Sequence, residues 1–185
     1  MVTCAESCTG GLVAAALTDI AGASAVLDRG FVTYSNAAKT DLLGVAPATL
    51  VAHGAVSPET ATEMADGALG NANGTSLAVS ITGIAGPGGG SADKPVGLVF
   101  FGRAIAGGST QSWRHHFTGD RVSIRQQATM RALKLIIEGI PAKTTPDTDF
   151  VPPTSCFGSI IYRHHLKSPS RRHATGAAYP CGAVT

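Results

Sequence analysis

The sequence predicts an α/β domain built around a mixed β-sheet. Three observations carry that expectation. Short apolar runs with strand character alternate with segments whose small apolar residues recur at helical spacing. Glycine and proline mark the boundaries between them. Two strand-like runs, 96–105 and 110–117, are joined by Ala106-Gly107-Gly108, a hairpin signal that makes the sheet mixed.

Taken in order, Glu6-Ser7-Cys8-Thr9-Gly10-Gly11 looks like the turn after a strand. Only five residues precede it, so the strand there is expected to be a truncated stub. Residues 9–17 are small and apolar and read as a helix. Residues 25–34 include Phe31-Val32-Thr33-Tyr34, an expected strand. Residues 36–43 read as a short helix stopped by Gly44 and Pro47. Ser57-Pro58-Glu59 is a helix start, with a Ser cap, Pro in the first turn and an acid near the positive helix end. Ala61, Met64, Ala65, Ala68 and Leu69 then share one face. Residues 77–82 form a short apolar strand. Asp120 can cap a last helix with Ile124, Ala128, Ala132 and Leu135 on one face, ended by Gly139 and Pro141.

The chain of 185 residues is 44% hydrophobic, enough for a real core, and carries a formal charge of +2. That charge sets up no strong field for nucleic acid or an acidic membrane. With aromatics at only 5%, a base-stacking surface is not expected either. No apolar run approaches the roughly 18 residues of a membrane helix, and no signal peptide is readable. Cys4, Cys8, Cys156 and Cys181 form no CxxC pair, which reads as reduced thiols in a cytoplasmic protein. The chain changes character near Pro141. Residues 1–143 hold ten basic and ten acidic residues, so the whole net charge sits in residues 144–185. That last stretch also has half the prolines and no sustained period, and reads as a disordered tail or a basic arm.

Four segments carry candidate chemistry. Ser7 sits at a strand-to-helix turn, where a hydroxyl is held exposed and the N–H groups of the turn face negative charge. Plain capping by Ser7 and Thr9 is the alternative. Lys39 lies in the first turn of a helix, at its positive end. With burial, that setting lowers the pKa of an amine toward that of a usable base. A solvated surface lysine is the alternative. Thr82-Gly83-Ile84-Ala85-Gly86-Pro87-Gly88-Gly89-Gly90 follows a strand and is able to form an anion nest, although it lacks the lysine of a nucleotide P-loop. Arg121, beside the Asp120 cap, can fork onto a carboxylate or phosphate. His115 and His116 are neighbours in a strand, point to opposite faces and cannot share a metal. Cys4 and Cys8 have no ligand cluster around them, and no metal is expected.

Together these segments resemble a known family. Ala5-Glu6-Ser7-Cys8-Thr9-Gly10-Gly11, Gly30-Phe31-Val32-Thr33-Tyr34-Ser35-Asn36, His53-Gly54-Ala55-Val56-Ser57, Thr82-Gly83-Ile84-Ala85-Gly86-Pro87-Gly88-Gly89 and Pro95-Val96-Gly97 occur in this order in the CinA C-terminal domain. The resemblance covers about residues 2–140. It implies a three-layer α/β/α sandwich and hydrolysis of the carboxamide of nicotinamide mononucleotide, with a small nucleotide as substrate, no cofactor and self-association. It implies Ser7 and Lys39 as a catalytic pair, with Tyr34, Thr82 and Arg121 assisting substrate binding. Asn36 belongs to the same motif as Tyr34. Beside this, the residues themselves suggest that the turn of Thr9, Gly10 and Gly11 and the loop holding Gly86, Gly88 and Gly89 receive the oxyanion and the ribose phosphate. Family members carry roughly twenty more residues before the turn. A shortened front is expected to expose a sheet edge and loosen the turn that holds Ser7, and the alternative to the hydrolase is then a catalytically inactive nucleotide-binding or interaction protein of the same family.

Overall fold

The computed structural model describes residues 1–140, and the expectations for residues 144–185 lie outside the described residues. The elements are β1 Val2–Glu6, α1 Leu12–Thr18, β2 Leu27–Val32, α2 Asn36–Leu43, α3 Pro47–His53, α4 Pro58–Gly70, β3 Leu77–Gly83, β4 Leu98–Ile105, β5 Gln111–His116 and α5 Arg121–Gly139. The strands form one mixed sheet of order β2-β1-β3-β4-β5. β1 is parallel to both β2 and β3, while β3–β4 and β4–β5 are antiparallel.

Side-chain alternation divides the sheet into two faces. Val79, Ile81, Val99 and Phe101 pack against Val13 of α1 and Ile124, Ala128, Ala132 and Leu135 of α5. Ala5, Ala78 and Ala104 face the other way, toward Met64, Ala65 and Ala68 of α4. These alanines keep the sheet surface low, so α4 sits close to it. The Ser80 hydroxyl donates to the Ala61 carbonyl of α4 at 2.5 Å. Helices on both faces of a mixed sheet are the expected three-layer α/β/α arrangement. No helix among the described residues is long and apolar enough to cross a membrane.

Several expectations are corrected. The first strand is five residues long, yet it lies inside the sheet, paired on both sides over all of them. Among the described residues the sheet edges are β2 and β5, and no edge opens beside Ser7. The first helix starts at Leu12 rather than Thr9, because Gly10 and Gly11 take positive φ and hold the turn out of helical register. β2 ends at Val32, two residues early, and β4 starts at Leu98. Pro47 does not merely stop α2. It opens α3 at the first helical position, where its missing N–H costs nothing.

The topology fixes where a site belongs. Chain connections leave β1 and β2 in opposite directions across the sheet, so a crevice opens at the carboxyl ends of β1, β2 and β3. Ser7, Thr33-Tyr34 and the Thr82–Gly90 loop all lie there. α2 is held against α4 at Gly67, where a Cβ would lie 1.8 Å from the Leu43 carbonyl oxygen. Gly67→Ala therefore gains up to about 1 kcal/mol of helix propensity but is expected to lose about 1–3 kcal/mol net through overpacking. The reading is a lower urea midpoint at unchanged m-value; a raised midpoint would show that this contact is not tight.

Candidate active site

The site is assembled from the end of β1 outward. Glu6, the last residue of β1, is 0% exposed. Its carboxylate accepts from the backbone N–H groups of Gly11 at 2.9 Å, Val13 at 3.1 Å and Ala14 at 2.9 Å. An internal anion thus satisfies the first turn of α1 and complements its dipole. The intervening turn closes when the Gly10 N–H donates to the Ser7 carbonyl at 3.1 Å. From α5, the Arg125 guanidinium donates to the Cys8 carbonyl at 3.1 Å and the Thr9 carbonyl at 2.7 Å. The turn is therefore tied down from below and from the side. The N–H groups of Gly10 and Gly11 are used inside the protein, and Thr9 is wholly enclosed.

Lys39 approaches from the opposite face of the sheet. Ser35 caps α2 by accepting from the Ala38 N–H at 3.0 Å, which places Lys39 one turn into the helix. The side chain is 1% exposed. Its Nζ lies 3.2 Å from Ser7 Oγ, 2.8 Å from the Thr33 carbonyl and 3.5 Å from the Tyr34 carbonyl. No carboxylate among the described residues forms an ion pair with it. Burial pushes its amine below the ordinary lysine range. A neutral amine has two N–H bonds and one lone pair. Two carbonyls take the N–H bonds, and the lone pair is left for the Ser7 hydroxyl proton. That is the arrangement of a nucleophile beside its base. The neighbouring Cys8 thiol is pushed up to about 11, chiefly by burial, and is protonated at neutral pH.

The outer residues form a second group. Arg121 donates to the Gly86 carbonyl at 2.8 Å and to the Tyr34 hydroxyl at 3.0 Å, so it joins the β2 end, the Gly-rich loop and α5. Thr82 is buried and its hydroxyl donates to the Ala55 carbonyl at 2.6 Å, which ties the His53–Ser57 segment to β3. Asn36, Gly88 and Gly89 are exposed, and no hydrogen bond links them to Ser7 or Lys39.

The chain matches the family model for the CinA C-terminal domain over residues 1–140. It belongs to the CinA C-terminal domain family. A protein of Enterobacter agglomerans named nicotinamide-nucleotide amidohydrolase PncC is 59% identical over 133 residues, covering 72% of this chain and 80% of that protein. The protein of the same name from Escherichia coli K12 is 56% identical over 135 residues, covering 73% and 81%. Among solved structures, the competence/damage inducible protein CihA of Agrobacterium tumefaciens superposes with a TM-score of 0.73 at 52% identity, over 75% of this chain and 84% of that one. A Klebsiella pneumoniae competence damage-inducible protein gives 0.70 at 40% identity, over 74% and 84%.

In this CinA-family domain, Glu6 and Arg125 escape a reading of motifs, although both hold the Ser7 turn. For Glu6 there is a usable signal: an acid at a strand end, five residues before a glycine that opens a helix, is placed to cap that helix. Arg125 had none, because its partners lie 116 and 117 residues away. Glu6→Ala leaves buried N–H donors without an acceptor, and the expected loss is about 3 kcal/mol or more. Glu6→Gln keeps one acceptor and should lose less. Denaturant unfolding of both variants measures this; an unchanged midpoint for Glu6→Ala would contradict the cap.

Proposed function

We propose that this chain hydrolyses the carboxamide of nicotinamide mononucleotide to nicotinate mononucleotide and ammonia, with Ser7 as nucleophile and Lys39 as base. The observation that carries the reading is the buried Lys39 amine, unpaired by any carboxylate among the described residues and 3.2 Å from Ser7 Oγ. The names of the two PncC relatives supply the substrate class.

The steps follow from the groups present. Ser7 Oγ attacks the amide carbon as its proton passes to Lys39, which gives a tetrahedral oxyanion and a lysine ammonium. The ammonium returns that proton to the amide nitrogen, the C–N bond breaks, and ammonia leaves an acyl ester on Ser7. Water then attacks the ester, with Lys39 again accepting a proton, and the acid product departs while Ser7 regains its hydrogen. The Thr33 and Tyr34 carbonyls hold the amine throughout. At the outer end, the Arg121 guanidinium offers the charge a phosphate needs, and the loop with Gly86, Gly88 and Gly89 offers backbone N–H groups beside it.

Ammonia release from nicotinamide mononucleotide tests the reading. Ser7→Ala should lower kcat by at least about 10⁴-fold with its circular dichroism unchanged; wild-type turnover from that variant would overturn the assignment. The base must be unprotonated to act. The rate of the wild type should therefore climb with pH along an acid limb whose midpoint lies below 10.5, the ordinary lysine value. A rate that falls as pH rises through that range would rule out Lys39 as the base.

A further inference from the structure

We infer that the backbone N–H of Cys8 is the donor that receives the oxyanion formed when Ser7 attacks; this rests on the Ser7–Lys39 reading above. Such a donor must lie next to the nucleophile, be free of internal partners and be within reach of substrate. The N–H of Ser7 donates to the Ile81 carbonyl, that of Gly10 to the Ser7 carbonyl, and those of Gly11, Val13 and Ala14 to the Glu6 carboxylate. The N–H groups of Cys8, Thr9 and Leu12 have no backbone or carboxylate acceptor among the described residues, and the Cys8 N–H has only its own thiol beside it. Thr9 is 0% exposed. Leu12 lies beyond the glycine pair, on the turn closed over Glu6, five residues from the nucleophile. Cys8 directly follows Ser7 and is 6% exposed.

Peptide geometry aims this group. The Gly10 N–H to Ser7 carbonyl bond makes Ser7 to Gly10 a β-turn, with Cys8 at its second position. In a trans peptide the C=O and N–H bonds point in opposite directions. Drawing the Ser7 carbonyl into the turn therefore turns the Cys8 N–H outward. Gly10, at φ 62, takes the left-handed backbone that carries the chain out of this turn toward Gly11. At the strand-to-helix turn of a serine hydrolase, the residue after the nucleophile is the one that reaches the oxygen of the attacked carbonyl. The Cys8 thiol sits near its own N–H, but it is protonated at neutral pH and is a poor competitor for the donor.

The position offers a direct test, because the second residue of a β-turn is where proline is best tolerated. Cys8→Pro removes the N–H, whereas Cys8→Ala removes only the thiol. With nicotinamide mononucleotide as substrate, kcat of Cys8→Pro should fall on the order of 10²- to 10³-fold below that of Cys8→Ala, with KM within about threefold. Should Cys8→Pro not fold, an ester in place of the Ser7–Cys8 amide deletes the same N–H, and the same fall is expected. Equal kcat values for Cys8→Ala and either N–H deletion would overturn the inference, as would a loss confined to KM. Ser7→Ala, measured alongside, separates the two claims. If it is inactive while Cys8→Pro turns over like Cys8→Ala, the oxyanion assignment alone fails. If Ser7→Ala itself turns over, the reading beneath it fails.

Discussion

The Glu6 carboxylate, held without solvent contact between the end of β1 and the start of α1, is the constraint on which the rest of the site depends. It ends the strand, satisfies three backbone donors and sets the distance across which the Ser7–Gly10 turn must close. A charge buried this deeply is tolerated because backbone N–H dipoles surround it. The consequence for chemistry is indirect but strict. Since Glu6 occupies the positive end of α1, that end is not available to a substrate anion. The site must find its donors elsewhere, in the turn itself and in the loop after β3.

Lys39 faces the opposite situation. It is buried among carbonyls and hydroxyls, with no carboxylate near enough to pair with it among the described residues. Burial of an unpaired ammonium is expensive, so the amine gives up its proton more readily than an ordinary lysine. With α2 seated closely on α4 at Gly67, that amine reaches Ser7 at the carboxyl end of β1. One carboxylate is stabilised to hold the nucleophile still, and one amine is destabilised as a cation so that it can take a proton. Burial disfavours charge on both groups; Glu6 finds three backbone N–H donors, and Lys39 finds no carboxylate partner among the described residues.

Much of this fold was legible in residue order. Ser57-Pro58-Glu59, Asp120 and the Ala106-Gly107-Gly108 turn mark their elements by local chemistry, and each element begins or ends where that chemistry puts it. Pro47 was ambiguous for the same reason: proline both ends one helix and begins another, and only the packing of α3 against α4 decides. The strand before Ser7 looked like a stub because its length was visible, while the two neighbours that pair with it were not. The Ser7–Lys39 contact spans 32 positions and the Arg125 contacts span more than a hundred. Such distances are set by topology. Resemblance to a family could suggest the first of these pairings, and nothing in spacing or periodicity could suggest the second.

Everything in the site's chemistry turns on burial beside Ser7 making the Lys39 amine easier to deprotonate than an ordinary lysine. The most direct measurement is an NMR titration of the lysine Cε and Nζ resonances in the folded protein, with Lys39→Met used to assign the signal. The account predicts that the Lys39 signal loses its proton below 10.5, the ordinary lysine value. A Lys39 signal that keeps its proton to pH values at or above 10.5 would contradict it.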